Sequence, residues 1–338
     1  MIIYLMLGLL GLYLKERLSK MLELWSKKIV IGGGKVKEIG FVAGADLAEP
    51  NNASNVAAFS EDGVNWTTVT LPIAGLAEHL TYGKKKFVGV GNGDTNLTVV
   101  TGYSKDGINW TAQTYNNTHR YDSITYGKGK FVAVGSTGSN TGYMSYSDDG
   151  INWIIANRPS VANWDNVAFG NGKFVATASC INSDASATNH VAYSNDGVNW
   201  NLGTMPISAK WTGVAYGNNK FIAVNNTSAA FSEDGINWSS LTIPNDNTKL
   251  YISYAKDRFF ICSSSGLFKY SIDGVNWETI SLPEGLGVVR SVAYGKGKFV
   301  AVGEGLKEFA YKFIYSEDGI NWLPVTTVYQ NWSSVVYG

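Results

Sequence analysis

Over most of this chain the apolar residues fall in short runs of two kinds. One kind is continuous, as in Phe131-Val-Ala-Val-Gly135, the pattern of a strand buried on both faces. The other is brief and ends in Tyr-Ser just before an Asp-Gly pair, as in Ala192-Tyr193-Ser194. Asp-Gly is a strong hairpin signal, and Gly-Lys-Gly or Gly-Asn-Asn between runs reads the same way, because Gly and Asn accept positive φ. The predicted order is therefore a short inner strand (Val214-Ala215-Tyr216), a glycine turn, a Phe-Val-Ala-Val strand, a third strand ending in Tyr-Ser, an Asp-Gly turn, and an outer strand starting at Asn-Trp.

This unit recurs. Ser-x-Asp-Gly-[Val/Ile]-Asn-Trp occurs seven times, with its tryptophan at Trp66, Trp110, Trp153, Trp200, Trp238, Trp277 and Trp322. A period near forty residues is that of a four-stranded propeller blade. The last residues, Trp332 to Gly338, form an inner strand with nothing after it, and Phe41-Val-Ala-Gly44 is a second strand with nothing before it. Joining them closes a ring of seven blades and removes the sheet edges that invite aggregation. The expected fold is an all-β seven-bladed propeller over residues 31–338, preceded by an N-terminal α-helix over residues 1–30. Ser and Asp of the motif are expected to bond turn amides, and its Trp to fill the space between blades.

Ser-x-Asp-Gly-x-Asn-Trp resembles the Asp-box (BNR-type) repeat of sialidases and other propellers, over about nine-tenths of the chain. It departs from that box in having Asp and Gly adjacent rather than one residue apart. With the Tyr-Gly-x-Gly-Lys-Phe-Val-Ala-Val-Gly element, the whole most resembles BNR/WD40-like repeat proteins, many of them in bacteria and in phage tail or tail-like particles. The resemblance implies a recognition module of an extracellular or virion tail particle that reads a cell-surface glycan or cell-wall polymer. A protein-binding scaffold, cytosolic or membrane-anchored, and a glycoside hydrolase are the alternatives.

Charge is balanced at 27 basic and 27 acidic residues, which gives no electrostatic footprint for nucleic acid. The resemblance to sialidases does not carry their catalytic set: Arg17, Arg120, Arg158, Arg258 and Arg290 are all the arginines, and none sits in an Arg-Ile-Pro element. The acids outside the motifs are scattered, so no catalytic residue is assigned and no enzyme is expected. His79, His119 and His190 are isolated, and Cys180 and Cys262 lie in non-adjacent repeats, so neither a metal set, a cofactor nor a disulfide is expected.

The two hairpin turns of each blade lie on one face of a propeller. The remaining connections, on the opposite face, vary in length and are rich in Asn, Thr, Ser and Gly. Variation on a fixed scaffold is where binding usually lives. Trp164, Trp211 and Trp332 precede three inner strands at one position, and Tyr121 holds that place in a fourth. Two readings stay open. These rings are sugar-stacking platforms with Arg120 as a polar partner, or they wedge between inner strands. Residues 1–30 lie outside the repeat: Met1–Leu14 is almost wholly apolar and Lys15–Lys28 is amphipathic. Three placements are open to this helix: docking to a partner or to copies of itself, contact with a membrane, or folding back on the propeller.

Overall fold

The computed structural model describes residues 40–45, 55–92, 98–116, 119–137, 142–180, 186–244, 246–284, 286–305, 312–325 and 331–338. The chain divides into two units, Met1–Glu38 and Ile39–Gly338, and every described residue belongs to the second. That unit consists of seven four-stranded antiparallel sheets. The inner strands are Trp332–Tyr337 for blade 1, then His79–Gly83, His119–Gly127, Asn163–Gly170, Gly213–Gly217, Leu250–Ala255 and Leu286–Gly295 for blades 2 to 7. Blade 1 is built from both ends of the chain, as expected: Phe41 pairs with Tyr337, Val42 with Val336 and Ala43 with Val335. Its other two strands are Val56–Ser60 and Thr67–Thr70.

No sheet is buried by itself. The apolar core consists of seven clusters among the described residues, and each straddles two adjacent blades. Between blades 3 and 4, Val132, Val134 and Met144 pack on Trp164, Phe174 and Trp200. Between blades 7 and 1, Val300, Val302 and Phe313 pack on Phe41, Trp332 and the half-buried Trp66. The motif tryptophans thus serve as the expected inter-blade filling: the Trp66 ring lies 4.3 Å from Phe313 of the preceding blade, and Trp322 lies 5.3 Å from Phe268.

Each motif folds on itself through one hydrogen-bond set. In the first copy Ser60 Oγ donates to Asp62 Oδ1 and accepts from the Gly63 amide. Asp62 Oδ1 also accepts from the Val64 and Asn65 amides at 2.8 and 2.7 Å, and Oδ2 accepts from Asn65 Nδ2. Gly63 takes φ 78°, and a Cβ there would also strike Val300 of blade 7. Burial alone would raise the Asp62 carboxyl, but the Asn65 and Val64 amides, with Asn65 Nδ2 and Ser60 Oγ, outweigh it and hold it at about 2. The same balance holds Asp196 at about 2. In Asp273 and Asp318 the amide hydrogen bonds are the largest influence, and they hold both carboxyls well below the usual range.

A second ring of contacts lies at the turn face. At the turn end of each inner strand an aromatic ring lies tilted or edge-on against a Phe of its own blade, with centres 4.7 to 5.0 Å apart. In six of the seven blades the next residue is a glycine, and the aromatic ring of the following blade rests on it. Gly83 carries Tyr126, Gly127 carries Phe169, Gly170 carries Tyr216, Gly217 carries Tyr254, Gly295 carries Tyr337 and Gly338 carries Tyr82; a Cβ at any of them would collide with that ring.

One part of the expected fold class is corrected. Among the described residues every regular element is a β-strand, so the architecture is all-β with no α-helix in it. Tight turns separate the short apolar runs of this region and leave no stretch with helical periodicity. The helix expected over residues 1–30 lies outside the described residues, together with the partner, self-association and membrane contacts attached to it. No helix among the described residues is long and apolar enough to cross a membrane.

Deleting Trp332–Gly338 removes the inner strand of blade 1 and the Gly338 seat, so the truncated chain is expected to lose cooperative thermal unfolding, as read by circular dichroism. The motif carboxyls set an acid limit. Their folded values lie below the unfolded value of about 3.9, so the stability they contribute is present in full above that value and is lost as pH falls through about 2. Asp196→Asn is therefore expected to melt below the parent chain at pH 7, with the gap closing toward pH 2; a gap that stays constant over that range would count against this origin.

Candidate functional site

The site begins at the opposite end of the inner strands, on the loop face. The residue just after the wedge position is Glu78 in blade 2, Asp122 in blade 3, Asp165 in blade 4, Thr212 in blade 5, Leu250 in blade 6, Arg290 in blade 7 and Ser333 in blade 1. In four blades a β-bulge falls there. The ladder passes from Tyr121 to Ser123, from Trp164 to Asn166, from Val289 to Ser291 and from Trp332 to Ser334, stepping over Asp122, Asp165, Arg290 and Ser333. A bulge re-aims a side chain away from the sheet.

The acids occupy neighbouring blades, and each caps the second strand of its own blade. Glu78 Oε2 accepts from the amide and side chain of Asn92 at 3.2 and 3.1 Å. Asp122 Oδ2 accepts from Ser136 Oγ at 3.2 Å, and its Oδ1 accepts from Arg120 Nε and Nη2 at 2.9 and 2.7 Å. Asp165 Oδ2 accepts from the Ser179 amide at 2.9 Å. Charges in this arc sense one another: Asp122 holds Arg120 in its charged form against the effect of burial, with Glu78 and Asp165 adding to it. Burial pushes the Asp165 carboxyl up to about 6. The charge of Asp122 adds to the rise, while Ser179 and the more distant Lys249 oppose it.

On blades 6 and 7 the sign reverses. The ammonium of Lys249 stands 5.2 Å and the guanidinium of Arg290 5.9 Å from the centre of the Tyr251 ring. Arg290 also pairs with Glu304. The loop-face mouth of the channel therefore carries Glu78, Asp122 and Asp165 with the paired Arg120 on blades 2 to 4, a net acidic arc, and Lys249, Tyr251 and Arg290 with its partner Glu304 on blades 6 and 7, a net basic one. Among the described residues no group of three His, Cys, Asp or Glu side chains could hold a metal ion.

Of the five residues expected to bind ligand, Arg120 has its side chain in the open, at 59% exposure. Trp164, Trp211 and Trp332 are 0% exposed and Tyr121 is 6% exposed. Each packs in the cluster joining its own blade to a neighbour. A ring enclosed on both faces cannot stack on a sugar, so these four are wedges between blades. In repeats without an aromatic the corresponding clusters hold Leu76 and the wedge-position Ala77 in blade 2, Leu250 in blade 6, and Leu286 with the wedge-position Val289 in blade 7. Sequence reasoning missed Glu78, Asp122, Asp165, Lys249 and Arg290 as a set. The available signal was alignment on the wedge position, where Lys249 stands, with the other four directly after it. Parts of several loop-face connections lie outside the described residues, while the connection over residues 67–79 is described throughout.

No protein-family model matches the sequence, and no curated protein matches it. The fold is shared with solved structures. YCF48 from Cyanidioschyzon merolae aligns with TM-score 0.56 and 16% identity over 78% of this chain and 90% of that one. YCF48 bound to D1 peptide aligns with TM-score 0.54 and 15% identity over 78% and 85%. Virginiamycin B lyase from Staphylococcus aureus aligns with TM-score 0.55 and 12% identity over 74% and 84%. At such identities the likeness establishes the fold: this is a seven-bladed β-propeller, an architecture that suits binding or scaffold roles.

Asp165 supplies a test of the site's electrostatics. Its folded value of about 6 lies above the unfolded value of about 3.9, so its contribution is fully favourable below about pH 4. That contribution is lost as pH rises through 6, at a cost of up to about 3 kcal/mol. Asp165→Asn is expected to melt above the parent chain at pH 8 and level with it at pH 4, in thermal scans at both values.

Proposed function

We propose that this chain is a non-catalytic recognition propeller that holds a charged segment of a partner protein across the loop-face mouth of its channel. The observation that carries this reading is the segregation of charge around the mouth. Glu78, Asp122 and Asp165 lie on one side, and Lys249 and Arg290 flank Tyr251 on the other. An extended peptide with basic and acidic side chains meets both arcs at once, and complementary charge gives such a contact register and a fast encounter. YCF48, with the same fold, has been captured with a peptide. A cell-surface glycan in a tail particle is the ligand implied by the sequence resemblance. It loses its main physical support with the burial of Trp164, Trp211 and Trp332.

One observation favours a hydrolase as a second reading. Asp165, raised to about 6, is half protonated near pH 6 and feels the charge of Asp122 on the neighbouring blade, and a raised carboxyl near a second one is a feature of glycosidase acids. Binding is preferred because both carboxylates are already committed, Asp122 to Arg120 and Ser136 and Asp165 to Ser179.

The experiment is selection of a random peptide library on the immobilised full chain, with a glycan array run in parallel. Asp122→Asn and Lys249→Gln serve as counter-screens after their melting curves confirm folding. Selected peptides are expected to carry charges of both signs and to bind each variant at least tenfold more weakly, about 1.4 kcal/mol. Peptides indifferent to both substitutions, or binding confined to glycans, would overturn the reading.

A further inference from the structure

The turn face departs from sevenfold repetition at one place, and two independent departures meet there. The first is in the aromatic belt. Six belt rings rest on a glycine of the preceding blade, but the residue that faces Tyr294 of blade 7 is Ala255, whose methyl occupies the seat. A cavity of about 380 Å³ opens at this point, lined by Tyr82, Tyr254, Ala255, Lys256, Tyr294 and Tyr337 among others. This volume falls in the range of small-molecule sites.

The second departure is in the turn that follows. In blades 2 to 5 the first turn residue reaches outward and donates to a carbonyl in the motif turn of the next blade. Lys84 donates to Asp148, Lys128 to Asn195, Asn171 to Glu233 and Asn218 to Ile272. Lys256 of blade 6 makes no such bond. Its ammonium turns inward, 4.9 Å from the centre of the Tyr294 ring, and it has no hydrogen bond or ion pair among the described residues. The neighbouring Asp257 pairs with Arg258 instead.

We propose that this cavity binds a small aromatic anion, its flat body among Tyr82, Tyr254, Tyr294 and Tyr337 and its acidic group on the Lys256 ammonium. Tyrosine rings supply faces and edges for offset stacking. An ammonium held over a ring and lacking a carboxylate partner is an anion site at the rim of an otherwise uncharged lining. A flat aromatic cation would meet Lys256 as a like charge, which excludes it. This site is separate from the loop-face mouth and does not depend on what binds there.

The test is fluorescence titration of the full chain with anilinonaphthalenesulfonate, an aromatic sulfonate, and with N-phenylnaphthylamine, its neutral counterpart. Saturable binding of one sulfonate per chain is expected. Lys256→Gln should weaken the sulfonate at least tenfold and leave the neutral probe nearly unchanged. Ala255→Gly restores the glycine seat under Tyr294, lets the ring settle and should weaken both probes. Lys128→Gln, which removes a lysine bonded outward, should affect neither. Thermal melts confirm that each variant is folded. No saturable sulfonate binding by the parent chain, equal effects of Lys256→Gln and Lys128→Gln, or indifference of both probes to Ala255→Gly would overturn the proposal.

Discussion

The structure depends on the fit of an aromatic ring against a backbone that has no side chain. Each blade presents apolar surface on both faces and cannot bury either without neighbours, so stability is a property of the interfaces between blades. At the turn face the fit is strict: the Tyr216 ring occupies the space a Cβ on Gly170 would need, and Tyr82 does the same over Gly338. The last of these seats is carried by the final residue of the chain and filled by a ring from blade 2. Closure is therefore cooperative in an exact geometric sense, because the interface between the two ends of the ring uses the same parts as every other. The hydroxyl-to-amide bonds between inner strands repeat the theme. Ser123 accepts from the Val167 amide, Ser291 from Val335 and Ser334 from Leu80, each linking one blade to the next.

The same constraint says where the molecule is free to differ from itself. A residue that mates with the next blade must repeat, and the glycines, belt aromatics and Ser-x-Asp-Gly-x-Asn-Trp motifs do. The residue after each wedge follows no such repeat: Ser333 donates to the Glu78 carbonyl and Thr212 to the Leu250 carbonyl of the next blade, while Leu250 packs in the core. In four blades a bulge takes it out of the ladder altogether, and around the ring this position runs through Glu, Asp, Asp, Thr, Leu, Arg and Ser. Ala255 is the instructive exception, since it breaks a mating position rather than a free one. It lines a cavity together with belt tyrosines of blades 1, 2, 6 and 7.

Much of the architecture was legible because turns and mating residues are local signals. Asp-Gly fixed the outer hairpin, Phe-Val-Ala-Val the buried second strand, and the orphan strand at Phe41 the closure with Trp332–Tyr337. The site was less legible for two physical reasons. An aromatic residue at a strand start can face a channel or a neighbouring blade, and sequence spacing does not tell which. In the three repeats without it, Leu76, Leu250 and Leu286 pack in the corresponding inter-blade clusters from neighbouring positions. Packing conserves volume in space rather than residue type in an aligned column. The acids were invisible as a set because Glu78, Asp122 and Asp165 come from three repeats, and it is the ring that brings them together.

The aspartates separate structural from functional chemistry more sharply than exposure does. Asp62 and Asp165 are the same group in the same fold, yet one is held at about 2 and the other raised to about 6. Asp62 receives two backbone amides, a side-chain amide and a hydroxyl, so its charge is fully solvated by the turn that it organises. Asp165 is more deeply buried and lies beside the charge of Asp122, and one backbone amide does not restore the solvation it has lost. A carboxylate in that condition gains from any cation brought to the mouth, because the incoming charge supplies what the protein withholds. The motif aspartates have nothing left to gain from a ligand. The unmet demand for counter-charge therefore lies at Asp165, on a bulged inner-strand start, although aspartate itself is distributed around the whole ring.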